Sequence, residues 1–160
     1  MAIDAFLKIE GVTGESVVKG MEGQIDVLSW SWGASQSGTM HTATGGGAGK
    51  ADVQDLAFSH FVDKASPTLL QFCCSGKHFT KATLTLRKAG DNPLNYVVIT
   101  LENVLISSVS MGGGDGAERL HEDVKLNFSK FSYTYQPQDS TGAKSGGPMT
   151  TTYDIALVSK

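Results

Sequence analysis

Between Asn95 and Ser110 the chain places Val97, Val98, Ile99, Leu101, Val104, Leu105, Ile106 and Val109 within sixteen positions. β-Branched side chains lose rotamer freedom on a helix and pack well on a pleated surface, so this run reads as one long strand. Most of the remaining sequence obeys the same logic. Residues 3–9 form an apolar strand before Gly11. In residues 24–33, Trp30 and Trp32 share one face while Ser29 and Ser31 take the other, and Leu28 joins the indole phase. That grouping reads as core more readily than as a sugar-stacking platform. Residues 53–62 carry Leu56, Phe58, Phe61 and Val62. Residues 79–88 alternate Ala82, Leu84 and Leu86 against Thr83, Thr85 and Arg87.

The stretch 121–136 changes phase in its middle. Val124, Leu126 and Phe128 fall on one parity, Phe131, Tyr133 and Tyr135 on the other. A β-bulge near Ser129-Lys130 would keep all six on one face. A last strand is expected over 150–158. One helix is expected at about residues 66–75. Ser66 reads as its N-cap, Pro67 as its first helical residue, and Gly76 as its left-handed terminator. Leu69 with Cys73, and Leu70 with Cys74, then stack along it. The fold class that follows is mainly β: a two-sheet barrel or sandwich with one short helix, a long extended loop at about 33–52, and a single domain over 1–160.

Composition then removes whole classes of function. The net charge of −3 and the presence of only two arginines, Arg87 and Arg119, leave no basic block for nucleic acid. No apolar run is long enough to cross a bilayer as a helix, so no membrane insertion is expected. The segment Met1-Ala2-Ile3-Asp4 lacks the charged and apolar regions of a signal peptide. Cys73 and Cys74 adjoin each other, which is a poor geometry for a disulfide, and free thiols are expected.

Candidate chemistry is sparse. Lys50 follows Gly49, but Thr44 stands where a phosphate loop needs glycine, and Ala51 where it needs Ser or Thr. His41, His60, His78 and His121 lack the spacing of a helical metal site. The acids are scattered and no Gly-x-Ser-x-Gly elbow exists. No catalytic residue, cofactor or metal is therefore expected. The 19 glycines concentrate instead in loops, above all Gly45–Gly49 and Gly112–Gly116. Each glycine costs about 0.5–1 kcal/mol of backbone entropy, so a cluster points to close backbone approach or to mobility. A twenty-residue loop with little apolar content has a task more often than not.

Several segments together resemble the haemolysin-coregulated protein (Hcp) family, the tube protein of bacterial type VI secretion. They are Asp4-Ala5-Phe6-Leu7-Lys8-Ile9, Ile25-Asp26-Val27-Leu28-Ser29-Trp30-Ser31-Trp32-Gly33, Val53-Gln54-Asp55-Leu56-Ala57-Phe58, Asp63 through Leu69, Gly76-Lys77-His78, Leu86 through Gly90, and Gln136-Pro137-Gln138. The resemblance implies a β-barrel with one helix, forming homohexameric rings that stack into a hollow conduit. It implies a spike protein at the tube tip, a surrounding contractile sheath, and effector proteins carried in the lumen. It further implies synthesis in the bacterial cytoplasm and export without a cleaved signal. With no further domain expected after residue 160, it implies the plain tube form rather than a toxin fusion.

Under that resemblance Ser29 and Ser31, opposite the indoles, are the candidates for the lumen wall. Met40, His41, Gly45, Gly46, Gly47, Gly49 and Lys50 in the long loop are candidates for contact between subunits or rings. So are Gly112, Gly113, Gly114 and Asp115. The alternatives are a phage-like tail-tube subunit outside type VI secretion, and a carbohydrate- or small-ligand-binding β-sandwich.

Overall fold

The computed structural model describes residues 2–38, 40–41, 50–90 and 92–158. Its strands are β1 (Ile3–Ile9), β2 (Ile25–Val27), β3 (Ser29–Ser31), β4 (Ala34–Ser35), β5 (Asp52–Val53), β6 (Leu56–Phe61), β7 (His78–Lys88), β8 (Asn95–Gly112), β9 (His121–Asn127), β10 (Lys130–Tyr135) and β11 (Met149–Asp154), with the helix α1 (Ser66–Ser75) between β6 and β7. All ladders are antiparallel. The main sheet follows the order β2-β1-β7-β8-β9-β6-β3, with β10 and β11 branching from β8.

β8 organises this sheet. Its first half lies between β7 and β10, with Thr100 opposite both Thr83 and Ser132. Its second half leaves them and pairs with β9, which pairs with β6. The two ends of the sheet, β2 and β3, adjoin in sequence across Leu28. β2 pairs with β1 and β3 pairs with β6, so one short run of chain serves two layers. The sheet folds over on itself as a sandwich; no ladder between β2 and β3 closes it into a barrel.

The core follows from alternation. Leu7 and Ile9 of β1, Leu84 and Leu86 of β7, Ile99, Leu101 and Ile106 of β8, and Val124 and Leu126 of β9 form one buried cluster with Leu69 of α1. Each side chain of this size gains about 1.5–3 kcal/mol on burial, which is the main attraction holding the layers together.

Several expectations need correction. The phase change at 128–130 is a break between two strands rather than a bulge in one. β9 and β10 pair with different halves of β8, and Ser129 sits between them, its hydroxyl accepting from the Asn103 side chain at 3.0 Å. The irregularity lies on β8, where the register slips between Ile106 and Ser108. Ser107, the extra residue, donates to Asp55 Oδ2 at 2.6 Å, and Asn127 donates to Asp55 Oδ1 at 2.8 Å. One carboxylate thus fastens the bulge to the neighbouring strand. Asp55→Ala should lower stability by about 1–2 kcal/mol, the scale of partly solvated hydrogen bonds to a charge, measured as a shift in the urea midpoint.

Ser66 is not the helix cap. The cap position is Ala65, and Ser66 is the first helical residue, its hydroxyl accepting the Asp63 N–H at 3.0 Å. No side chain caps the helix; Asp63 instead forms a turn just before it, its Oδ1 accepting the Ala65 N–H at 2.9 Å. Gly76 does terminate the helix in a left-handed conformation, φ 67°. Both cysteines are free; Cys73 leans on the core, while Cys74 is exposed. The final strand ends at Asp154 instead of 158. The long loop is anchored at its root, since β4 and β5 pair Ala34 with Val53 and Ser35 with Asp52.

Candidate functional site

Four strands build one broad exterior face: β3, β6, β9 and the second half of β8. Register fixes what it displays. Ser29 lies opposite Ser59, Ser59 opposite Asp123, and Asp123 opposite Ser110. One step along, Ser31 lies opposite Ala57, Ala57 opposite Lys125, and Lys125 opposite Ser108. Two parallel rows of small side chains therefore cross the face, with one acid and one base near their middle. The alternate positions of the inner strands point inward, where Phe58 and Val124 are buried.

The face forms a shallow open hollow of about 450 Å³. Its hydroxyls can donate and accept weakly, and its two charges cancel. No histidine lies among its lining residues, so it holds no serine–histidine pair. It is suited to staying wet.

By alternation Ser29 and Ser31 are the polar side of their strand, and Thr83 and Thr85 the polar side of theirs. The structure separates the groups. Thr83 and Thr100 pair across β7 and β8, outside the hollow, and Thr85 is only 7% exposed, opposite the buried Phe6. Trp30 is 36% exposed at the margin rather than in the core. Trp32 does pack inward, edge-on to Phe131 at 4.9 Å, and donates its indole N–H to the Gln54 carbonyl at 2.9 Å. Ser59, Ser108, Ser110, Asp123 and Lys125 were not singled out from sequence. The alternation of Asp123 and Lys125 against Val124 and Leu126 was a usable signal, but only register shows which strand they face.

The glycine-rich segments divide. Met40, His41 and Lys50 are exposed. Gly45, Gly46, Gly47 and Gly49 lie outside the described residues. Gly112 ends β8 opposite His121, and Gly113, Gly114 and Asp115 continue as an exposed turn.

Behind the face lies a buried ionic pair. His60 of β6 and Glu122 of β9 are cross-strand partners on the inward side, both 0% exposed, with Nε2 2.8 Å from Glu122 Oε1. On the other side of the ring, Nδ1 is 3.7 Å from Asp63 Oδ2. Burial pushes the imidazole pKa down, but the negative charges of Asp63 and Glu122 and the hydrogen bond with Glu122 more than offset it, leaving His60 above its usual 6.5. The pair joins the back of the face to the N-terminus of α1. Among the described residues, no group of three His, Cys, Asp or Glu side chains could hold a metal ion.

Comparison with known proteins agrees across most of the chain. Residues 6–135 match the family model described as "Type VI secretion system effector, Hcp". The chain is similar to "Protein hcp1" of Pseudomonas aeruginosa, 54% identical over 150 residues, covering 93% of each chain. Its fold is similar to the crystal structure of Hcp1 from Salmonella typhimurium, with 39% identity, 99% of each chain covered and a TM-score of 0.81. A structure described as a type six secretion system protein superposes with a TM-score of 0.92 at 26% identity, covering 98% of each chain.

Proposed function

The chain belongs to the Hcp family of type VI secretion system proteins, and from that premise we propose that residues 1–160 act as one domain, a tube subunit that assembles into hexameric rings. The rings stack into a hollow conduit, capped by a spike protein, driven by a contractile sheath and able to carry effector proteins. The subunit itself acts structurally rather than as an enzyme. It is made in the bacterial cytoplasm and exported without a cleaved signal; among the described residues no helix is long and apolar enough to cross a membrane.

The observation that supports this reading is the four-stranded polar face and its two open edges. β3 pairs only with β6, and β7 begins at His78, opposite Leu105, so β8 beyond that point has no second strand beside it among the described residues. An open edge of backbone donors and acceptors is a template for pairing. Joining the β3 edge of one copy to the β8 edge of the next is a head-to-tail contact, which closes into a ring when the rotation closes. The polar rows then become a continuous inner wall. Ser29 and Ser31 face the lumen, and the exposed turns at Met40–His41, Lys50 and Gly112–Asp115, together with Gly45, Gly46, Gly47 and Gly49, meet neighbouring subunits or rings.

Electron microscopy of the purified protein should show rings with an open centre, and native mass spectrometry six copies; compact monomers at high concentration would refute the tube. Ser31→Phe places bulk on the wall without touching the core. It should leave the ring intact and weaken effector retention at least about tenfold, equivalent to about 1.4 kcal/mol. Loss of hexamers in that variant would instead put Ser31 in a subunit contact.

A further inference from the structure

We infer that the Asp115-Gly116 step, at the tip of the β8–β9 hairpin, is a site of spontaneous covalent modification, where the backbone rearranges from an aspartyl to an isoaspartyl linkage. The sequence contains ten aspartates and four asparagines, and Asp115 alone among them is followed by glycine. The rearrangement requires the amide nitrogen of the next residue to reach the side-chain carboxyl carbon. A Cβ beside that nitrogen crowds the approach, and glycine has none.

The fold leaves this step free to react. β8 ends at Gly112 and β9 begins at His121, so residues 113–120 lie outside the ladders. One backbone bond shapes the turn: the Ala117 N–H donates to the Gly114 carbonyl at 3.1 Å. That bond spans the reacting pair and does not use the Gly116 N–H. Gly116 has φ 84°, the left-handed value that the third position of a type II turn requires. Asp115 and Gly116 are both exposed, and a Cβ built on Gly112, Gly114 or Gly116 would meet nothing within 4 Å. Carboxyl, amide nitrogen and solvent water can therefore meet without displacing a packed group. The other described aspartates are held. Asp4, Asp26, Asp52, Asp123 and Asp154 lie in strands. Asp55 is fastened to Ser107 and Asn127, Asp63 accepts the Ala65 N–H, and Asp139 accepts from Thr141 and Ala143. Asp91 lies outside the described residues, and its successor Asn92 carries a Cβ.

The step balances with water as its only co-reactant. The Gly116 nitrogen attacks Asp115 Cγ and a C–N bond forms. A carboxyl oxygen leaves as water, carrying off the amide proton and the acid proton. Water then opens the resulting succinimide. Addition at Cγ restores the aspartyl chain. Addition at the main-chain carbonyl breaks the original peptide bond and leaves the backbone running through Cβ and Cγ. Mass and net charge end unchanged, but the backbone is one atom longer and the carboxylate stands on Cα. An extra atom between Gly114 and Ala117 disrupts the bond that closes the turn. The change falls between Met111 and Leu120, which are 53% and 52% exposed. Any effect on contacts between rings rests on the tube reading above; the rearrangement itself does not.

The test incubates the dilute full chain at mildly acidic pH and physiological temperature, folded in buffer and unfolded in concentrated urea. The tryptic peptide 89–119, released after Lys88 and Arg119, is followed by reversed-phase chromatography with electron-transfer fragmentation, which locates the linkage. A dehydrated form should appear first and isoaspartate at position 115 after it. The folded chain should convert within about tenfold of the unfolded rate, and at least about tenfold faster at Asp115 than at any other aspartate. Gly116→Ala should slow conversion at least about tenfold in both states, and the unfolded arm removes any effect of that variant on the turn. Asp115→Glu, which would have to close a larger ring, should abolish the product. A folded rate more than about tenfold below the unfolded one would show that the turn protects Asp115 and would overturn the inference. So would equal rates at the other aspartates, or no conversion in either state. Ring formation is read separately by electron microscopy, so its failure leaves this result standing.

Discussion

Replacing Glu122 by alanine is expected to cost about 3–5 kcal/mol, the scale for removing one partner of a buried ion pair. Glu122 and His60 are both 0% exposed and 2.8 Å apart, so the variant strands a charged imidazole in the interior. Chemical denaturation should show this as a large fall in midpoint at unchanged slope. Replacing both residues by leucine should restore most of the loss, because the desolvation cost of two charges disappears with them. The pair also predicts a pH dependence. Folding raises the His60 pKa above 6.5, so its contribution is complete below about 6.5 and is lost as pH rises through the folded value. The wild-type chain should therefore weaken from neutral into alkaline pH relative to the double leucine variant. Parallel stability curves for the two would show that folding leaves the His60 pKa unmoved and would refute the charged pair.

Gly14→Ala is the second large effect. Gly14 is buried, and its N–H donates to the Gly23 carbonyl at 2.7 Å. A Cβ there would overlap the Gln24 carbonyl oxygen and stand 2.6 Å from Gln24 C and 2.8 Å from Ile25 N. These are backbone atoms at the entry to β2, and Ile25 is 1% exposed. No side-chain rotation can relieve the contact; the loop must withdraw from the sheet. The expected cost is about 3 kcal/mol, the upper end for overpacking. Gly114→Ala, where a Cβ meets nothing within 4 Å, should change stability by less than about 0.5 kcal/mol. A thermal melt of both variants separates close approach from a general intolerance of substituted glycine.

The parts of this fold that were legible in the sequence are those written in local periodicity. Ile3–Ile9 and His78–Lys88 alternate plainly, and Pro67 and Gly76 bracket a helix whatever surrounds them. What stayed hidden depends on pairing. The phase change at Ser129 looks the same whether a strand bulges or ends, and only the two halves of β8 decide between them. Thr85 reads as a surface residue until Phe6 is set opposite it. Ser29 and Ser31 could be placed opposite the indoles by parity alone, but Ser59, Asp123 and Lys125 join them through register, a long-range property. His60 had no visible partner because Glu122 lies sixty-two positions away. Arg87 read as one polar member of an alternating strand, since nothing local signals that it is only 9% exposed.

The division of labour between the two sides of β3, β6 and β9 bears on how such a chain can diversify. Successive residues serve unrelated demands: Phe58 and Val124 hold the interior, while Ser59 and Asp123 meet the outside. Because the two sets point to opposite sides of the sheet, natural selection can rewrite the outer set one residue at a time at little cost in folding free energy. Lineages descended from one ancestor can thus change what the outer face meets while inheriting the same scaffold, and the serine rows are where that drift should be fastest.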